Sequence, residues 1–316
     1  MSSSPVSRAA VAAGAFLIGG MAIGAALPVE RGDPRLGSTS AGHVDTDRGR
    51  HDECSHPGGS PSTSPNRMDV PPPARTPAAP STPSDDPQTA AERHGWTDLV
   101  ARDDFQGDGV DRAAWEIYDG AGHAGNGRRS PEAVSVREGV LTITGRPDGT
   151  TGAMAWKRGA QKTGRWEARV RMSRGCACYH PVLLLWPVHG GGGVAPAGGE
   201  GEVDYMEVID SGRRDTASFF LHFGPPDRDH QKHARVMADL TEWHHFAVEW
   251  TSGDLTGFID GRRWFHTDDR AALPLAEMGQ TIQLDWFPED RAKTADGIAR
   301  DVPATMEVDW IKMYRL

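Results

Sequence analysis

Gly201-Glu202-Val203-Asp204-Tyr205-Met206-Glu207-Val208 sets three carboxylates inside an apolar run with strand character. In a regular strand alternate side chains point to opposite faces, so Glu202 and Asp204 share a face and Glu207 points away. One extra residue at Tyr205 or Met206, a β-bulge, returns Glu207 to the face of the other two acids. The stretch therefore predicts a bulged strand presenting Glu202, Asp204 and Glu207 to one cleft. With the bulge, roughly 13 Å separates the Cα atoms of the two glutamates. Carboxylates that lean toward each other over that span come within about 5 Å, the separation of a retaining rather than an inverting glycosidase.

Outward from this stretch, β-rich and alternating runs dominate from Trp96 onward, while apolar residues at helical spacing are scarce. Residues 134–136 and 140–144 flank Arg137-Glu138-Gly139 and predict a hairpin turning at Gly139. Trp166, Ala168, Val170 and Met172 alternate with Arg165, Glu167, Arg169 and Arg171, giving a strand with one apolar and one charged face. Val182-Leu183-Leu184-Leu185-Trp186 is continuously apolar, as in a strand buried on both faces or covered by a cleft. Further strands are expected at 217–223, 245–250, 257–260 with a turn at Asp260-Gly261, 281–286 and 305–314. Short strands parted by Gly, Asp and Pro clusters, without helical crossovers, predict a two-sheet antiparallel sandwich. Residues 190–201 are expected to form a loop on one wall of the site.

The amino-terminal part has a different composition. Residues 9–27 carry no charge, follow Arg8 and end at Pro28, so residues 1–28 are expected to be a secretory signal peptide or an uncleaved membrane anchor. Residues 29–95, rich in Pro, Ser and Thr, have too few large apolar side chains for a core and predict a disordered linker. That leaves 96–316 as the folded domain, secreted or tethered outside the membrane and monomeric. The formal net charge of -10, without a basic stretch interleaved with aromatics, argues against nucleic acid as partner. Of the three cysteines, Cys54 lies in the linker; Cys176 and Cys178 close a small ring if the loop between them bends, and stay apart in a regular strand.

These segments together resemble glycoside hydrolase family 16, whose bulged branch carries a Glu-x-Asp-x-x-Glu signature matched by Glu202, Asp204 and Glu207. Gly164-Arg165-Trp166-Glu167-Ala168-Arg169, His245 through Trp250 leading to Asp260-Gly261, and Val308-Asp309-Trp310-Ile311-Lys312 are similar to family strands in the same order. The resemblance implies a concanavalin-like β-jelly roll with a concave polysaccharide cleft. It further implies that Glu202 is the nucleophile and Glu207 the acid/base, with Asp204 between them, in an enzyme that needs no cofactor or catalytic metal. Crowding is expected to raise the acid/base carboxyl while hydrogen bonds keep the nucleophile ionised, giving a mildly acidic optimum.

Sugar sites also need aromatic platforms and a few polar groups. Trp186 and Trp286 are candidates, each against a plain packing role, as are His222, against a hydrogen-bonded histidine without a substrate contact, and Asn126, whose Asn-Gly step also suits an ordinary turn. The resemblance allows a structural calcium ion held by Asp309 and backbone oxygens near Asp104. It favours a laminarin-like β-1,3-glucan as substrate. The alternatives are an agarase- or carrageenase-type hydrolase, an envelope transglycosylase and a lectin-like binding domain. Arg213, Arg214, Arg228 and Lys232 serve a sulfated substrate if they line the cleft, and are otherwise solvated loop charges.

Overall fold

In a computed structural model of the chain, the described residues are 88–190, 200–224 and 230–316. The expected signal or anchor, nearly all of the linker with Cys54, most of the 190–201 loop and Arg228 lie outside them. Two large antiparallel sheets carry the fold. In the front sheet the strands run in the order His230–Met237, Thr216–Phe223, Glu202–Glu207, Tyr179–Pro187, Met278–Trp286, Ala153–Gln161 and Trp115–Ile117. The back sheet runs Arg262–Thr267, Leu255–Ile259, His244–Trp250, Gly164–Met172, Ala304–Tyr314, Val140–Gly145 and Val134–Arg137, with Leu99–Asp103 also paired to Ala304–Tyr314. This is the all-β sandwich that the alternation predicts.

Period-two burial explains why the sheets stack. Trp166, Ala168, Val170 and Met172 from the back sheet meet Leu183, Leu185, Val203, Phe219, Leu221, Ile282 and Leu284 from the front sheet in one buried core. Arg165, Arg169 and Arg171 stay on the outer face, paired with Glu249, Asp309 and Glu307. Because the alternate residues of each front strand, such as Leu184 between Leu183 and Leu185, are not part of that inner layer, their side chains are free to build a site on the opposite face. The expected hairpin forms with Glu138 at φ 52° and Gly139 at φ 76°, and Asp260-Gly261 turns with φ of 48° and 69°. Both are positive-φ pairs of the kind that match strand twist. Cys176 and Cys178 are joined by a disulfide just before Tyr179.

The boundary of the folded part differs from the sequence expectation. Ala90–His94, placed in the linker by composition, is a short helix with a Thr89/Glu92 capping box and Gly95 at φ 68° as its end. Five residues are too few for a helical period to show in sequence. Tertiary contacts fix it: Glu167 of the back sheet accepts from the backbone N–H groups of Ala90 and Ala91, and Ala90 and Trp96 pack with Ala247, Phe258 and Tyr314. The polar strand His230–Met237 was likewise not expected. It is a sheet edge with one face toward solvent, so its alternation involves His, Lys and Arg rather than large apolar residues.

Burial pushes the Glu167 carboxyl up to about 7, although the two N–H donors and Lys312 work in the other direction. The unfolded chain titrates near an ordinary glutamate, about 4.3. The folded state thus holds this proton more tightly, and stability falls as pH rises between those values, by on the order of 3 kcal/mol in total. Glu167→Gln keeps a carbonyl acceptor for the helix and removes the charge. Urea unfolding should find it level with the parent chain near pH 4 and more stable at pH 8; an equal difference at both pH values would contradict this origin.

Candidate active site

The strand Glu202–Glu207 holds its acids on one face because of a bulge at Tyr205. Against Tyr179–Pro187, Met206 lies opposite Leu183 and Asp204 opposite Leu184, leaving Tyr205 as the extra residue. Against Thr216–Phe223, Glu202, Asp204 and Glu207 stand opposite His222, Phe220 and Ser218. Those three are alternate residues of a regular strand and share a face, so the three acids share it too. Val203, Tyr205 and Met206 go into the core instead. Tyr205 is fully buried there, and its hydroxyl donates to Oε1 of the equally buried Gln280 at 2.8 Å, which fixes the extra residue in place.

The neighbouring strands add His180, Val182, Leu184 and Trp186, then Thr281, Gln283 and Asp285, to the same face. Asp204, His180 and Asp285 are buried on this face. His222 Nε2 lies 3.3 Å from Asp204 Oδ2. Asp285 accepts from Arg129 Nη2 at 2.7 Å and from Gln283 Nε2 at 2.7 Å, and His123 Nδ1 is 3.8 Å away. At the Glu207 end, the His180 ring stacks on Phe287 with centroids 4.2 Å apart. Its Nε2 is 3.2 Å from Asp290 Oδ2 and its Nδ1 is 3.8 Å from Glu207 Oε1.

Crowding of carboxylates governs the electrostatics. Burial, then the neighbouring Asp204 charge, raise Glu202 well above the ordinary glutamate value, with His222 opposing. Burial also raises Asp204, to about 6, against the pull of His222. The two acids therefore compete for protons as a pair. This departs from the expectation of a fully ionised Glu202: the cleft supplies it with a negative neighbour and little water, and His222 offsets only part of that penalty.

The sequence candidates separate accordingly. Leu185 pairs with Val203, which sets the half-buried Trp186 beside Glu202 on the cleft face. His222 also reaches the acids. Trp286 does not: it has the opposite strand parity, pairs with Tyr179 and packs under Gly127 and Gly149, where any Cβ would lie within 3 Å of its ring. Its place is packing, not a subsite. Asn126 closes the loop that carries His123 through its backbone N–H to His123 O, at 2.9 Å, the turn role that Asn-Gly allows.

Among the basic candidates Arg214 is buried and held by Asp210 and by the Ser173 and Cys176 carbonyls, while Lys232 pairs with Asp269 at 3.1 Å. Arg213 lines a 630 Å³ cavity with Arg174, Asp215 and Asp239 that contains none of the three acids. The calcium reading fits poorly, because Asp309 Oδ2 is taken by Arg169 at 2.7 Å and Asp104 O by Gln106 at 2.9 Å. His180, Asp285, Arg129 and Asp290 were not singled out in the sequence. Counting in steps of two along Tyr179–Pro187 places His180 on the Leu184 face, but nothing local marks Arg129 or Asp290, which arrive from distant loops.

No protein-family profile matches the chain, and no curated protein matches it in sequence. Solved structures do match in fold. The LamA catalytic domain from Zobellia galactanivorans superposes with TM-score 0.58 at 16% identity, over 70% of this chain and 99% of that one. An endo-β-1,3-glucanase from Pyrococcus furiosus gives 0.57 at 16%, over 70% and 94%. A glycoside hydrolase family 16 protein from Bacteroides ovatus, in complex with a mixed-linkage glucan product, gives 0.58 at 17%, over 68% and 100%. The fold is the jelly-roll sandwich these proteins share.

Proposed function

We propose that the chain is a member of glycoside hydrolase family 16, an extracellular endo-hydrolase of β-glucans that acts with retention, with a laminarin-like β-1,3-glucan as its substrate. The observation that carries this reading is the Tyr205 bulge, which brings Glu202, Asp204 and Glu207 to one face of a sheet. The structural likeness to the endo-β-1,3-glucanase from Pyrococcus furiosus, over 94% of its length, supports it.

In the first step a Glu202 carboxylate oxygen bonds to the anomeric carbon as the glycosidic C–O bond breaks, and Glu207 gives its proton to the departing oxygen. In the second, Glu207 takes a proton from water, the hydroxide oxygen bonds to the anomeric carbon, and Glu202 leaves with its electron pair. Asp204, held by His222, spaces and orients the nucleophile. Trp186 offers an apolar face beside Glu202 for a pyranose ring.

Reducing-end release by the full chain against laminarin, lichenan, agarose, carrageenan and xyloglucan tests the reading, with laminarin expected as the best substrate. The engaged or remote positions of Arg214, Lys232 and Arg213 weigh against carrageenan. Product analysis with an added acceptor sugar separates hydrolysis from transglycosylation.

A pH dependence follows from the raised acids. Glu202 must lose its proton to attack, and burial with the Asp204 charge pushes it up, so kcat/KM should fall as pH drops through a value well above the range of a free glutamate. Asp204→Asn removes a negative neighbour and should move that acid limb to lower pH. A parent limb near pH 4 would contradict the crowding.

A further inference from the structure

We infer that His180 is a positioning residue for the acid/base carboxyl: a buried imidazolium, held by Asp290, that steadies Glu207 while it is ionised between the two steps. The inference rests on the functional reading above for Glu207's role, and on three features of the cleft for its own content. The side chain of His180 is 4% exposed, so its polar atoms depend on protein partners. Nε2 has one in Asp290 at 3.2 Å. Nδ1, equally buried, has no hydrogen-bond partner and points at Glu207 Oε1 from 3.8 Å, within ion-pair range and slightly beyond a hydrogen bond. Stacking on Phe287 fixes the ring plane, so a small movement of Glu207 completes the contact.

The charges around the ring favour its protonated form. Asp290 faces it from the Pro288–Lys293 turn, Glu207 from the bulged strand, and Asp285 stands opposite on the paired strand. Asp285 is already engaged by Arg129 and lies near His123, and Asp290 also carries Lys293 at 2.5 Å on its other oxygen. Burial alone would lower His180, but the bond to Asp290 and the nearby Glu207 carboxyl outweigh it and the net shift is upward. Asp290 is correspondingly held down to about 2, first by its bond to His180. The ring thus lies between two carboxyl groups that favour its protonated form. The proton that moves is Glu207's, first to the leaving oxygen and then back from water.

Two readouts test this. In the pH profile of kcat/KM, His180→Gln should move the alkaline limb upward by about one pH unit, because it removes a positive neighbour from the acid and leaves the Asp290 carboxylate behind. A role confined to packing would lower activity at every pH and leave the limb in place, and that result would overturn the inference. The second readout needs no substrate. The His180 ring, followed by NMR in the folded chain, should titrate at lower pH in Glu207→Gln and in Asp290→Asn than in the parent. If hydrolysis fails on every glycan, the functional reading fails and the ring titration still decides the coupling. A His180 titration indifferent to Glu207→Gln would refute it.

Discussion

Glu202→Gln should abolish hydrolysis of the best glycan, with kcat lower by on the order of 10⁵-fold and KM little changed. The substitution removes the oxygen that bonds to the anomeric carbon while keeping the side chain's size. The amide is a poor nucleophile, and the cleft has no second carboxylate in its place: Asp204 is spent on His222 and lies between the two glutamates along the strand. A loss of that size corresponds to about 7 kcal/mol of transition-state stabilisation. The fold should survive, since Glu202 is half-buried at the cleft surface and Gln relieves the repulsion with Asp204. Circular dichroism and an unfolding curve at or above the parent's stability, together with lost activity, is the expected combination. Retained hydrolysis would remove Glu202 from the chemistry.

Glu207→Ala should separate the two half-reactions. A natural glycan leaves as a poor alkoxide and needs the proton, so its hydrolysis should fall by about 10³- to 10⁴-fold. A dinitrophenyl glycoside leaves without protonation, so the first step should persist, and the glycosyl-enzyme should accumulate because no base activates water. Azide needs no base and should restore turnover, giving a β-glycosyl azide. The missing side chain also frees the space between His180 and Ser218 into which azide enters. Rescue with an α-azide, or no preference for the activated substrate, would contradict the assignment of acid/base to Glu207.

Much of this arrangement was legible from residues alone, and its limits have physical causes. The parity conflict within Glu202 to Glu207 has one economical solution, a bulge at Tyr205 or Met206, and the register shows it at Tyr205. Alternation along Gly164–Met172 likewise marked which face meets the core. Trp286 misled because its aromatic character fits a sugar platform, whereas its parity relative to Asp285 turns it away from the acids. The upward push on Glu202 was not legible because crowding and burial do not appear in a linear sequence. Arg129 and Asp290 reach the cleft from the 128–129 strand and the turn after Trp286, and only the folded chain brings them within bonding distance of Asp285 and His180.

The most direct test is the anomeric configuration of the first product, followed by proton NMR during hydrolysis of a β-glucan oligosaccharide. With Glu202 and Glu207 brought to one face by the Tyr205 bulge, the β-anomer should appear first and mutarotate afterwards to the equilibrium mixture. Initial release of the α-anomer would mean a single displacement by water, and would contradict the assignment of Glu202 as nucleophile.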